Sequence, residues 1–436
     1  MASLLTGRCM VWGGFAAVLI LLPFFFGSEL ALSLASRMCI AIVFALSYNM
    51  LLGHGGMLSF GHAVYAGLGS YFTIHALNAW GAHMPVSLLP LVGGLAGVLF
   101  GVLFGYVSTK RSGTPFAMIS LGIGELVAAG ALMIPVFFGG EAGVSGNRVT
   151  GEGWFGINFG PQNQVYYLIA AWTFVSVLAM FAITRTPLGR MANAVRENPE
   201  RVQFIGYNTH LVRFYTLVLA SFFAGISGGL AAINFEIVTA ETVGAHASGI
   251  VLLMTFIGGI GQFFGPVIGA VVVTLLQSVL SSVTPAWQFY FGILFLGMVM
   301  FAPGGISSLL VLHGPLWNAK RLFKLLAPSY LFAAMAGVVL LLGMIGMVEI
   351  SYHLSEAAAV PTMSIFSLSF NPHGWAPWAV ALALVAAGIW LLRIAFEKVS
   401  QAWSVVSAEL LAMRVGRSVN AATSDVPLVG AEKARP

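Results

Sequence analysis

Twelve apolar runs dominate this sequence, and each is close to the length that a helix needs to cross a lipid bilayer. A crossing takes roughly 17 to 25 predominantly apolar residues. With 59% hydrophobic and 8% charged residues, the chain of 436 residues does not have the composition of a soluble domain. We therefore predict an all-α polytopic membrane protein. The runs are 11–27, 30–52, 63–80, 86–107, 114–138, 165–184, 212–234, 247–260, 264–283, 287–302, 328–348 and 375–393.

Basic residues concentrate in alternate loops, and this pattern predicts the orientation of the spans. If the N-terminus is cytoplasmic, nearly all arginines and lysines lie in loops on that side, whereas opposite loops carry glutamates such as Glu141 and Glu236. Such an excess of positive charge marks the cytoplasmic side. Both termini are therefore predicted to be cytoplasmic, and the net charge of +5 reflects topology rather than nucleic-acid binding.

Glycines interrupt the apolar pattern in the segment GHGGMLSFGH, residues 53–62. In lipid every backbone polar group needs a partner, so irregular backbone must be shielded by protein or line a wet cavity. Three interpretations remain open: a turn between two spans, close helix packing at Gly61, Gly67 and Gly69, or a discontinuous element beside a translocation route. The segment GGIGQFFGP at 258–266 repeats the arrangement weakly.

Glu125 lies near the middle of an apolar run, where an ionised carboxylate costs several kcal/mol unless it is paired or hydrated. It is either a pathway carboxylate or a structural hydrogen-bonding group. Arg37 is the other charge inside a span, so we predict an intramembrane ion pair between the two. Asn49 and His62 are polar groups near the membrane that either bond neighbouring helices or contact a transported solute.

The longest polar interruption within the first 300 residues is the loop at 184–214. Its sequence PLGRMANAVRENPE predicts one short helix. This helix is either an amphipathic helix on anionic lipid or a docking helix for a soluble partner. One side of the helix carries Ala192, Val195 and Pro199, and the remainder carries Arg190, Arg196 and Glu197.

Sequence motifs for catalysis or nucleotide binding are not found in the chain. It has no GxxxxGK[ST] loop, no HExxH, no GxSxG and no cluster of cysteine and histidine. We therefore predict a protein that is not an enzyme and holds no metal.

Four stretches of the chain resemble the LivM-type permeases of branched-chain amino acid and urea-type ABC importers. The resemblance runs in order over about residues 30–306, and it implies a type II ABC importer permease core of about ten spans. The stretches are GHGGMLSFGHAVYAGLGSY, ISLGIGELV, TPLGRMANAVRENPERVQFIGYN, and LLMTFIGGIGQFFGPVIGAVV with LFLGMVMFAPGGI.

The resemblance implies partners in a bacterial inner membrane. These are a LivH-type second permease, two cytoplasmic ATPases that bind ATP and Mg, and a periplasmic substrate-binding protein, with no cofactor on this chain. It also implies roles in a cavity for Ser59 and His62, beside the candidates Asn49 and Glu125. The loop at 185–211 would couple to the ATPases through Arg190, Arg196, Glu197, Asn198 and Gly206.

The chain departs from the family pattern in two places. Ala128 stands where the family commonly has a basic residue, three positions after Glu125. An extension at 307–436 follows the core at 1–306, with predicted spans at 328–348 and 375–393 and a polar tail predicted to be disordered and cytoplasmic.

Three functional classes follow from the sequence. The first is a permease for branched-chain or related amino acids, with urea, short amides and aromatic acids as alternative substrates. The second is a secondary transporter driven by protons through Glu125. The third is a membrane scaffold or assembly factor.

Overall fold

A computed structural model describes residues 2–81, 84–149, 158–317, 320–356, 363–365, 368–371 and 373–424. Every predicted apolar run coincides with a helix, which confirms the all-α class.

Two short two-stranded sheets complete the fold, β1 (Val144–Ser145) with β2 (Ile237–Val238) and β3 (Met363–Ile365) with β4 (Leu368–Phe370). The helices are α1 (Ala2–Phe25), α2 (Glu29–Asn49), α3 (Ala63–Trp80), α4 (Leu89–Ser108), α5 (Thr114–Met133), α6 (Pro135–Phe138), α7 (Gln162–Arg185), α8 (Pro187–Glu197), α9 (Pro199–Phe204), α10 (Thr209–Phe235), α11 (Ala245–Gly258), α12 (Gly265–Val283), α13 (Trp287–Phe301), α14 (Gly305–Trp317), α15 (Lys320–Glu356) and α16 (Trp375–Ser424).

Eight helices in the described part of the chain are long and apolar enough to cross a membrane. A ninth crossing arises if α13 and α14, which meet at a 45° bend, form one broken span. The apolar part of α1 and helix α11 are shorter than a full crossing. The remaining predicted span, α3, is buried along most of its length, from Ala63 to Leu77, and exposed at its last three residues.

Residues 1–287 and 291–309 form one compact unit, in which α10 packs closely against α3 and α4. Glycines make this approach possible. A Cβ atom added to Gly228 would collide with the carbonyl oxygen of Ala66, and one added to Gly225 would collide with that of Gly93. Small residues at crossings are how helices approach closely in membranes.

Hydroxyl groups from three neighbouring helices bond to backbone carbonyls of α2. Such bonds satisfy polar side chains within an apolar bundle and fix the rotation of each helix about its axis. Helix α2 therefore lies in the interior of this unit. The donors and acceptors are Thr173 Oγ1 to Cys39 (3.3 Å), Ser227 Oγ to Ile40 (3.0 Å) and Thr255 Oγ1 to Ala45 (3.4 Å).

Arg148 anchors the loops at one end of the unit. Its guanidinium donates to the carbonyls of Phe159 (2.9 Å) and Asn234 (3.2 Å) and lies 3.9 Å from a carboxylate oxygen of Glu236. The other oxygen of Glu236 accepts from the Arg148 backbone N–H at 2.7 Å. These bonds join the loop after β1 to the C-terminal end of α10.

Residues 288–290 and 310–436 form the second unit, whose main feature is the antiparallel pair α15 and α16. The predicted spans at 328–348 and 375–393 lie within these two helices. Glycines again allow close contact: Gly343 packs on Val385, and Gly388 packs on Leu340.

Helix α16 extends beyond the last predicted span to Ser424, into the segment predicted to be a disordered tail. The apolar residues in this stretch give the reason, since Val406 is buried together with Leu326 of α15. Packing of an apolar face stabilises a helix that composition alone does not. The rest of the tail, 425–436, lies outside the described residues.

Candidate functional site

The glycine-rich break at 53–62 separates α2 from α3. Helix α2 passes directly into a turn of π-helix, Met50–His54, and α3 begins at Ala63. Gly56 has a φ of +65°, a conformation that suits glycine. Single π turns occur frequently at functional sites, so the break is a candidate site on geometric grounds.

Hydrogen bonds from three helices satisfy the backbone of the break. The Tyr48 hydroxyl donates to the Ser59 carbonyl at 3.0 Å, and the Ser120 hydroxyl accepts from the Phe60 N–H at 3.1 Å. Ser248 Oγ accepts from the N–H of Ala63 at 3.1 Å. The break is therefore shielded by protein, as irregular backbone at membrane depth has to be.

His62 is fully buried among aromatic rings. Its Nε2 lies 3.0 Å from Ser47 Oγ, and its ring stacks on Phe44 with the centroids 5.7 Å apart. The predicted pathway residues Ser59 and Asn49 are each only 1% exposed. In this conformation all three contribute to the packing between helices and none reaches an open surface.

The second glycine-rich segment meets the first. It forms the turn between α11 and α12, where Gly259 has a φ of +112°. A Cβ atom added to Gly53 would lie 2.9 Å from the carbonyl oxygen of Ile260 and would collide with Asn49. The two breaks that look alike in sequence are thus in direct contact.

The coupling loop predicted at 185–211 forms two helices rather than one. Asn198, between them, accepts from the Arg201 N–H at 2.9 Å and so caps the start of α9. Gly206 and Tyr207 cap the C-terminal end of α9. Gly206 has a φ of +89°, and the Tyr207 N–H donates to the Val202 carbonyl at 3.2 Å. This bond pattern is a glycine C-cap, which gives Gly206 a structural role.

The buried side of the two helices is apolar, as the sequence predicts. Ala192 and Val195 of α8 are buried together with Val202 of α9 and Val212 of α10. Arg190 and Glu197 are exposed on the other side. The loop is therefore a folded unit on the end of the bundle.

Three exposed apolar residues lie at the end of α9, and none of them is among the residues predicted from the sequence. The exposed fractions are 89% for Phe204, 63% for Ile205 and 52% for Tyr207. The sequence does indicate these residues, because they are a group of apolar residues toward the end of a mostly polar loop. Exposed apolar clusters of this kind mark contacts with other proteins or membranes.

Arg196 is directed toward its own chain. Its Nη1 donates to the carbonyl oxygen of Gly53, and its aliphatic part lies against Gly56. The predicted coupling loop is thereby connected to the π-helical break, a link that the sequence did not show.

The predicted ion pair between Arg37 and Glu125 is not formed. An ion pair is formed elsewhere, between Arg148 and Glu236. Most contacts of α2 are with α7, α10 and α12, and α5 packs against α3, α4 and the short turn Ala240–Val243, although both helices also touch α11.

Glu125 is exposed, although the helix that carries it is apolar. Helix α5 buries one narrow side, which includes Phe116 and Ser120. The opposite side forms a continuous exposed stripe with the carboxylate near its middle. The stripe consists of Pro115, Met118, Gly122, Glu125, Leu126, Ala129, Leu132 and Met133.

These features define a polytopic helical membrane protein with a buried broken span. A family model described as "Branched-chain amino acid transport system / permease component" matches residues 30–303. The chain belongs to this family of permeases.

Curated relatives agree with the family. The chain is 26% identical to the high-affinity branched-chain amino acid transport system permease protein LivM of Salmonella typhimurium and 25% identical to that of Escherichia coli, in each case over 65% of this chain and 71% of the relative. It is 24% identical to a probable branched-chain amino acid transport permease protein LivH of Methanocaldococcus jannaschii, over 62% of this chain and 87% of the relative. No solved structure is a significant match.

Proposed function

We propose that this chain is a permease subunit of an ATP-driven importer for branched-chain or related amino acids in a bacterial inner membrane. A second, LivH-type permease subunit forms the other half of the pathway, and two cytoplasmic ATPase subunits hydrolyse ATP with Mg. A periplasmic binding protein delivers the solute, and both termini of this chain are cytoplasmic. Family membership supports the substrate class.

The exposed stripe of α5 is the observation that carries this proposal. A carboxylate on a lipid-facing surface costs several kcal/mol, and such residues normally face a bundle interior or water. Glu125 is not in the interior of this chain's bundle but on its exposed outer side. A second permease subunit that covers the stripe places Glu125 at an interface, beside the route of the solute.

The same exposed stripe argues against a secondary transporter that works alone. A proton-coupling carboxylate has to sit in a cavity that one chain can close, and Glu125 is on an open surface. The exposed apolar residues Phe204, Ile205 and Tyr207 supply a docking surface for an ATPase. ATP then shifts the equilibrium between outward-open and inward-open states by binding more tightly to one of them.

Uptake into proteoliposomes tests the proposal. We expect labelled leucine to enter vesicles that hold both permeases, the ATPases and the binding protein, and only with ATP. Uptake by this chain alone in a pH gradient would instead establish a proton-coupled transporter. ATP-dependent uptake of urea, a short amide or an aromatic acid in place of leucine would change the substrate, and no uptake of any solute would favour a scaffold.

Glu125→Gln is expected to lower ATP-dependent uptake by at least roughly tenfold, because a hydrogen bond to a charged group contributes about 1.5–3 kcal/mol. The glutamine keeps the size of the side chain, so the complex should still assemble. Glu29→Gln removes an exposed carboxylate from the start of α2 and serves as the control. Equal uptake by the two variants would remove Glu125 from the pathway.

A further inference from the structure

Three glycines of the segment GHGG each contact a different part of the first unit. Gly53 lies against Ile260 in the turn between α11 and α12, and Gly55 lies against Thr216 of α10. Gly56 lies against Arg196 of α8, where a Cβ atom would come 2.6 Å from the Arg196 Cγ. A side chain at Gly53 would meet the backbone of Ile260, and one at Gly55 or Gly56 would displace the side chains of Thr216 or Arg196, so the segment is a junction of α8, α10 and the second break.

Arg196 completes the C-terminal end of the π turn. The carbonyls of Met50, Leu51 and Leu52 accept backbone N–H groups from residues 55–57. The next carbonyl, that of Gly53, accepts from the guanidinium of Arg196. The carbonyls at a helix end carry partial negative charge and favour a cation, so α8 supplies a charged cap to a helix end that belongs to another element.

Beside this bond, α8 and the π turn leave a small space between them. A small apolar cavity lies there, lined in part by Met50 of the π turn and by Leu188 and Ala192 of α8. Tightly packed interfaces resist sliding, whereas a void leaves room for it. The geometry therefore combines one directed bond at Arg196 with free space beside it.

We propose that Arg196 is a positioning residue that transmits movement of α8 and α9 to the two glycine breaks, through the Gly53 carbonyl and from there to Ile260. This inference rests on the proposed function, and it changes the role that family resemblance gave to Arg196. Within this chain its partner is the broken span, at the Gly53 carbonyl. When the ATPases move the loop, the bond makes the end of α2 and the turn after α11 follow.

Arg196→Gln separates this role from docking. In the complete importer we expect the ATPases to remain attached and to hydrolyse ATP, while the amount of leucine moved per ATP falls by roughly tenfold, the value of a hydrogen bond to a charged group. Arg111→Gln, which removes an exposed arginine from the loop between α4 and α5, should keep the wild-type ratio. An unchanged ratio in R196Q would overturn the proposal, and so would loss of the ATPases, because Arg196 would then be a docking residue.

Arg196→Lys covers the case in which R196Q fails to insert. It keeps the charge, but the donor nitrogen of lysine lies one bond nearer the backbone than Arg196 Nη1, which bonds the Gly53 carbonyl, so its ratio of leucine to ATP should fall below that of wild type. A wild-type ratio in R196K would count against the proposal when R196Q cannot be measured.

Hydrogen exchange tests this inference independently of the proposed function, because it needs no transport. In the full-length permease chain alone, R196Q should exchange faster than wild type at residues 53–57, and R111Q should not. If the wild-type importer moves no solute with ATP, the proposed function fails while faster exchange still establishes the contact. Unchanged exchange in R196Q would show that the contact holds nothing in place and would overturn the inference.

Discussion

Gly228→Ala is expected to remove most of the folded protein from the membrane. A Cβ atom at this position would collide with the carbonyl oxygen of Ala66 in α3. The obstacle is backbone, so α3 and α10 would have to separate. Overpacking of a well-packed core costs about 1–3 kcal/mol, and a backbone collision belongs at the upper end of that range or beyond it.

The yield and thermal stability of the detergent-solubilised chain measure this effect. Gly337→Ala is the matched control, because Gly337 also lies within a helix, α15, and no atom is near enough to meet an added Cβ. That control should keep the wild-type stability or gain up to about 1 kcal/mol from the better helix former. Similar yields for the two variants would show that the crossing of α3 and α10 is not as close as described.

The double variant Phe204→Ser with Tyr207→Ser is expected to detach the ATPases. Aromatic residues that anchor an interface contribute about 2 kcal/mol or more each, so losing two weakens binding by roughly a hundredfold to a thousandfold. Both side chains are exposed at the end of α9 and are absent from the buried core of the loop. The fold of the permease should therefore be unaffected.

Co-purification of the ATPases with the permease pair measures the attachment, and ATP-dependent uptake should fall with it. Tyr106→Ser is the control, since Tyr106 is 58% exposed and lies outside the coupling loop, near the end of α4. Retention of the ATPases by the double variant would place the docking surface elsewhere, for example on Arg190 and Glu197.

The sequence predicted the helices well because lipid crossing imposes a length and an apolar composition that can be read directly. It also placed Ala192 and Val195 on the buried side of α8, since helical spacing alone decides this. The glycine-rich breaks were located correctly, but their contact with each other through Gly53 and Ile260 was not foreseen.

The sequence showed where the helices lie along the chain, but it did not show which helices are neighbours in space. The scarcity of charge placed Arg37 and Glu125 inside apolar runs, but it carries no information about which helices lie side by side. The predicted coupling residues also differ in their contacts. Arg196 was grouped with Arg190 because both are charged, although only Arg196 reaches the Gly53 carbonyl. The extended tail helix was missed because its partner, Leu326, is far away in the sequence.

Helix α3 has a consequence for biosynthesis. It is not among the helices apolar enough to partition into lipid, and α10, which covers much of it, is synthesised far later. A translocon that releases helices one by one would deliver α3 into hydrocarbon before α10 is present to accept the hydrogen bond from the Ser70 hydroxyl at the Gly228 carbonyl. Productive insertion therefore requires α3 to be retained, by the translocon or by a membrane chaperone, until α10 emerges.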